Sequence, residues 1–210
     1  MLRRFALLSL VSLVFCGSIA VGQGTHQFLG KPRDVPDRFT TKHGIRYNTQ
    51  GYDEPQAKWN KKIQEWQDNS VPESVIEELL AYPGSPDAIE HWIDDAFDQA
   101  VARFTACEGK LAQRARKVPA TDISVTIMPS AFLEPHYQIL VAGVYYPTPK
   151  EIKVLNIYYT WEGEHKGWLR HARDLLVYEM QNYFAVACRI QAEPRTPGWP
   201  CDAPFVGKLQ

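Results

Sequence analysis

Apolar residues recur at helical spacing soon after residue 53. Trp59, Ile63 and Trp66 lie four and three residues apart, which predicts a short helix with one buried face. Ser70 and Glu73 have the spacing of a capping box, so we expect a second helix to open there and to end at the turn around residues 82–84.

The longest apolar pattern follows Ser85 and Pro86, which are typical of a helix N-cap and first helical position. Its apolar positions keep a helical period to Leu111, so one helix is predicted up to Lys117. Cys107 lies on or beside this apolar stripe, and its expected role is that of a small buried hydrophobe.

Beyond residue 122 the period changes from helical to alternating. Alternation over 123–127 predicts a half-buried strand. The β-branched and aromatic run 137–146 predicts a second strand, in which Gly143 indicates a bulge or a close backbone approach. The turn at 147–150 is too short for a crossover helix, so a third strand at 152–157 is expected to run antiparallel to the second.

A last helix is predicted from Trp168 to about Ile190. Helices, a small and mostly antiparallel sheet, a further long helix and a disulfide-tied tail together predict one α+β domain over residues 54–210. Residues 23–53 contain Gly, Pro, Thr and charged residues without an apolar period, which is typical of an extended leader or linker.

The N-terminus has the pattern of a secretory signal peptide over residues 1–22. Two arginines precede an apolar stretch at 5–16, and small residues follow it, so cleavage is expected after Ala20 or Gly22. The mature protein would then be secreted or periplasmic. Cys16 offers a lipoprotein anchor as an alternative, although the bulky residue before it fits that motif poorly. No second apolar run is long enough to predict a membrane span.

Charge argues against one class of partner. The chain has 23 Lys and Arg against 24 Asp and Glu, and removal of the signal peptide would leave a net charge of −3. No basic block stands out, whereas proteins that bind phosphate backbones usually carry one, so a nucleic-acid partner is not expected.

Three cysteines remain after the predicted cleavage, namely Cys107, Cys188 and Cys201. Two of them should pair in an oxidising compartment. A bridge from Cys188 to Cys201 would tie the proline-rich tail to the last helix, and we favour it. A bridge from Cys107 to Cys201 is the alternative.

Candidate chemistry lies on the last helix, in the segment Tyr178-Glu179-Met180-Gln181-Asn182. Residues four apart project from one face of a helix, which is how H-E-x-x-H holds zinc with two imidazoles beside a general base. The segment resembles the active-site helix of zincin-like metalloproteases, and the likeness in element order extends over residues 85–205. Tyr178 and Asn182 occupy the positions of the two histidine ligands.

The resemblance implies a zincin scaffold without its metal site. An amide oxygen and a neutral phenol are weak zinc ligands, and the tail after residue 198 offers no histidine as a third ligand. We therefore expect no cofactor, a vestigial Glu179, and a non-catalytic role in binding a protein, peptide or envelope component. The alternative is an active zinc-dependent metallohydrolase with Glu179 as general base and non-standard ligands, including a relocated site that uses His136 and His171.

Overall fold

The computed structural model describes residues 26–49, 52–130, 142–160 and 167–206. Within them, five α-helices combine with a five-stranded sheet and a two-stranded sheet, which confirms the predicted α+β class. The predicted signal peptide, Cys16 and His136 lie outside the described residues. None of the helices in these segments is both long and apolar enough to cross a membrane.

The first two helices are α1, Gln56–Asp68, and α2, Glu73–Leu80. The three apolar residues that predicted α1 are all buried on one face of it: Trp59, Ile63 and Trp66.

The predicted capping box at Ser70 is wrong, because this residue terminates α1 instead of opening α2. Ser70 has a positive φ of 58° and its N–H donates to the carbonyl of Gln67, while the N–H of Val71 donates to the carbonyl of Trp66. This pair of bonds is a Schellman motif, and the buried Val71 packs in the same apolar cluster as Trp66. Pro72 is the N-cap of α2 and gives no side-chain cap.

The long helix predicted to reach Lys117 is two helices, α3, Pro86–Thr105, and α4, Gly109–Ala115. Its start is confirmed, since the Ser85 hydroxyl accepts a hydrogen bond from the Ala88 N–H at 3.2 Å. The interruption falls at Gly109, whose φ of +66° lies outside the right-handed helical region.

The main sheet has the strand order β1-β2-β3-β5-β4. The bounds of its strands are β1, Arg38–Thr40; β2, Arg46–Asn48; β3, Ser124–Met128; β4, Gly143–Tyr146; and β5, Glu151–Leu155. The hairpin of β4 and β5 is antiparallel, as expected from the short turn. The sheet as a whole is mixed, because β3 lies parallel to both β2 and β5.

Two of these strands lie in the segment that was expected to be an extended leader. β1 and β2 pair with one another, and β2 extends the sheet by pairing with β3. Ile45 and Tyr47 are buried in the main hydrophobic core. The described part of residues 23–53 therefore belongs to the folded domain, which corrects the expected linker.

The last helix, α5, spans Ala172–Cys188 and starts later than predicted. Trp168–His171 is instead a strand, β7, which pairs with β6, Ile157–Thr160, in the separate two-stranded sheet. α5 packs against α3 and against β4 and β5, so the main core lies between this helix pair and one face of the five-stranded sheet.

The favoured disulfide is also wrong, since Cys107 pairs with Cys201 and Cys188 is a free, buried thiol. The helix break brings the Cα atom of Cys107 within 5.2 Å of that of Cys201. The tail is held there by Trp199, whose ring lies 5.1 Å from that of Phe104 and whose carbonyl accepts a hydrogen bond from Arg103. The bridge thus ties the tail to the end of α3.

Candidate functional site

Glu179 is the centre of the candidate site. It lies on α5 with only 5% of its surface exposed, at the point where the helix packs beneath β4. A carboxylate loses most of its hydration in such a position and needs hydrogen-bond donors from the protein. The groups that surround Glu179 therefore determine its hydrogen bonding and the pKa of its carboxyl.

Two donors are directed at the carboxylate. The Asn182 Nδ2 atom donates to Glu179 Oε2 at 2.9 Å, and the backbone N–H of Tyr145 in β4 donates to the same carboxylate. Burial raises the pKa of the Glu179 carboxyl above its usual value, while these two hydrogen bonds lower it in part. Loss of hydration is thus the larger effect, and the donors offset only part of it.

Gly143 allows this close approach of strand and helix. A Cβ atom at this position would lie 3.1 Å from Glu179 Oε1 and 3.2 Å from a methyl carbon of Val154. Of the two alternatives predicted at Gly143, a bulge or a close approach to the backbone, the structure shows the second.

Tyr178 belongs to the same hydrogen-bonded group. Asn182, which donates to Glu179, also forms a hydrogen bond with the Tyr178 hydroxyl, and the guanidinium of Arg195 lies 5.4 Å from the centre of the Tyr178 ring. Burial, followed by the nearby charge of Glu179, raises the pKa of the Tyr178 hydroxyl, and Arg195 opposes this rise. The phenol is therefore protonated at neutral pH.

These residues do not fit a zinc ion. Asn182 uses its amide group to hold Glu179 and Tyr178, and a protonated phenol is a poor ligand. The segments that the structure describes contain no group of three or more His, Cys, Asp or Glu arranged to hold a metal. The helix spacing places Tyr178 and Asn182 close to one another, and together with Glu179 they form a hydrogen-bonded cluster.

The predicted relocated site finds no support in the position of His171. This residue is the N-cap of α5, is exposed, and pairs through its backbone with Ile157 at the start of the helix. It lies almost two helical turns before Tyr178. The other proposed member, His136, is outside the described residues.

Sequence reasoning missed the roles of Tyr145 and Arg195. The ring of Tyr145 packs edge-on against that of Tyr183 at 5.6 Å, and the Tyr183 hydroxyl donates to the carbonyl of Pro119 at 2.7 Å. These contacts fix β4 over α5 and so aim the Tyr145 N–H at Glu179. Alternation along the strand could have placed the Tyr145 ring toward the core, but no sequence signal reports a backbone donor or the Arg195 contact.

Comparisons with known proteins found no relative: the chain matches no protein-family profile, no curated protein and no solved structure.

Proposed function

We propose that this chain is an exported, non-catalytic protein whose degenerate zincin-like domain binds an extended peptide along the outer edge of β4. The proposal rests on which polar groups around Glu179 already have hydrogen-bond partners within the protein. The carboxylate that would serve as a general base is held within the protein, while the strand above it is the edge of the sheet.

The backbone pattern of β4 identifies the groups that face outward. The N–H of Leu155 donates to the carbonyl of Ala142 at 2.8 Å, so these opposed residues form a hydrogen-bonded pair of the antiparallel ladder. Hydrogen-bonded pairs alternate with pairs that turn their backbone groups away from one another. Gly143 and Tyr145 therefore turn their N–H and C=O groups away from β5, toward the edge.

One of these outward groups already has a partner, because the Tyr145 N–H donates to Glu179. The Gly143 N–H and the carbonyls of Gly143 and Tyr145 make no hydrogen bond to another described residue. A strand edge with such groups is a template for an added strand, the common way in which sheets recognise extended peptides. Glu179 thus supports the edge instead of activating water.

Selection from a phage library of random linear ten-residue peptides tests the binding role. N-methylation of the selected peptide at alternate residues should weaken binding roughly tenfold when the methylated amides face β4, and should have little effect at the intervening residues. The amide NMR signals of Gly143 and Tyr145 should shift on binding, with Phe39 on the opposite edge strand as the control. Equal effects of both methylation patterns, or failure to select any peptide, would contradict the peptide-binding role.

Metal analysis tests the non-catalytic part separately. The purified protein should contain far less than one zinc per chain after dialysis, because the cluster around Glu179 lacks suitable ligands. Stoichiometric zinc that is lost in a Glu179→Gln and Asn182→Ala double variant would overturn this part and favour the metallohydrolase alternative.

A further inference from the structure

A second candidate site lies at β1 and β2, at the opposite edge of the five-stranded sheet from β4. A cavity of about 1000 Å³, here called the β1–β2 cavity, is lined by both strands, by residues 29–31 and by Ser124 of β3. Its volume is at the upper end of the roughly 300–1,000 Å³ typical of small-molecule sites. It shares no lining residue with the cluster around Glu179.

Strand register places a set of polar side chains together in this cavity. Arg38 opposes Asn48 and Thr40 opposes Arg46 across β1 and β2, while Ser124 opposes Arg46 across β2 and β3. Since side chains alternate between faces and the intervening Tyr47 belongs to the core, these five residues lie on the face turned away from the core. All five line the cavity.

Two arginines supply its positive charge. Arg38 and Arg46 are diagonal neighbours on one face of the β1–β2 pair, a separation of about 7–8 Å between their backbones. Arg46 donates through one nitrogen, Nη2, to the carbonyl of Asp122 at 3.2 Å. The Arg38 side chain is exposed and has no hydrogen-bond or ion-pair partner among the described residues, although its charge contributes to a lowered pKa of Asp37, which Lys31 dominates.

The other charged residues that line the cavity cancel only part of the positive charge of the two arginines. Lys31 Nζ lies 2.6 Å from Asp37 Oδ1, so these two charges neutralise one another. Asp53 is the remaining acid, set against the two arginines. The cavity therefore combines a net positive charge with hydroxyl and amide groups, and with space for more than a single ion.

We infer that the β1–β2 cavity binds a hydroxylated small acid, a sugar-sized molecule whose carboxylate or phosphate lies between Arg38 and Arg46. The planar guanidinium group suits both oxyanions, because it offers paired N–H donors to two oxygens. Thr40, Asn48 and Ser124 lie beside the arginines at the positions where ligand hydroxyls would be recognised. This inference does not depend on the peptide-binding role of β4.

Titration calorimetry with four probes tests the ligand class. Glucuronate and glucose 6-phosphate distinguish a carboxylate from a phosphate, glucose lacks the acid, and acetate lacks the hydroxyls. At least one of the two sugar acids should bind about tenfold more tightly than both glucose and acetate, as expected for loss of one charge-assisted contact. Binding of glucose or acetate as tight as that of the better sugar acid, or no binding of either sugar acid at millimolar concentration, would overturn the inference.

Variants locate the site. Arg38→Gln should weaken binding of the better sugar acid about tenfold, and the Arg38→Gln and Arg46→Gln double variant should weaken it further. Arg33→Gln, an exposed arginine of the same segment outside the cavity lining, is the matched control. Arg38 is the decisive position, since its side chain makes no hydrogen bond to another described residue whose loss could unfold the chain. Unchanged affinity in Arg38→Gln, or an equal loss in Arg33→Gln, would place the binding elsewhere.

Discussion

Replacing Cys201 with serine should lower the stability of the protein by several kcal/mol. The bridge joins Cys107 and Cys201 across a sequence separation of 94 residues, and a loop of about this length corresponds to about 4.7 kcal/mol of lost unfolded-state entropy. Measured effects of removing native disulfides are about 2–5 kcal/mol. Cys201 is exposed, so serine there adds no buried polar group to this loss.

Urea unfolding followed by tryptophan fluorescence measures this effect. The native chain should lose a comparable free energy of unfolding when dithiothreitol is added, and Cys201→Ser should no longer respond to the reductant. Cys188→Ala is the matched control, because Cys188 is buried in the same core but is free. It should cost about 1 kcal/mol and keep the full response to reductant.

The control also separates the two possible bridges. If Cys188 were the partner of Cys201, Cys188→Ala would abolish the response to reductant, and the pairing described above would be refuted. A Cys201→Ser protein as stable as the native chain would instead refute the stabilising role of the bridge.

Four further substitutions test the buried polar groups and their contacts by urea or thermal unfolding. The pKa of Glu179 is raised in the folded state, so the stability of the native chain falls as the pH rises through that pKa. Glu179→Gln carries no charge at this position. The variant should therefore be more stable than the native chain at neutral pH and should lose this advantage in acid. Tyr52→Phe should stabilise the protein by about 1 kcal/mol, since the buried Tyr52 hydroxyl has no hydrogen-bond partner among the described residues. Tyr47→Phe should destabilise it by a similar amount, because it removes a 3.1 Å hydrogen bond to another tyrosine. Gly143→Ala should cost about 1–3 kcal/mol, because the added methyl meets the Glu179 carboxylate. The opposite sign in any of these would contradict the contact it tests.

Elements with several apolar residues in one period were predictable from the sequence. Trp59, Ile63 and Trp66 define the buried face of α1, and Ser85 with Pro86 marks the start of α3, because both signals are local and each is satisfied within a few residues. Ser70 shows the limit of local signals. The same residue can cap a following helix or end a preceding one, and burial of Val71 beside Trp66 decides for the second.

The strands of the N-terminal segment could not be predicted in this way. β2 has three residues and only Tyr47 of them is buried, so an alternating period cannot be recognised. What holds it in place is parallel pairing with β3, a contact between segments far apart in sequence. The disulfide could not be predicted for the same reason. The break before Gly109 and the packing of Trp199 bring Cys107 to Cys201, and both depend on contacts between distant segments.

The candidate site shows how one spacing can serve two chemistries. Tyr178 and Asn182 share a helix face at the separation that places two metal ligands together, and this could be predicted from the sequence. The contact observed in the fold is the shorter step from Glu179 to Asn182, whose amide group donates to the carboxylate and also forms a hydrogen bond with Tyr178. A carboxylate that is 5% exposed would be strongly destabilising without such donors, and here a side-chain amide and a strand amide supply them in place of a cation. The asparagine thus gives the buried glutamate a hydrogen-bond partner within the fold.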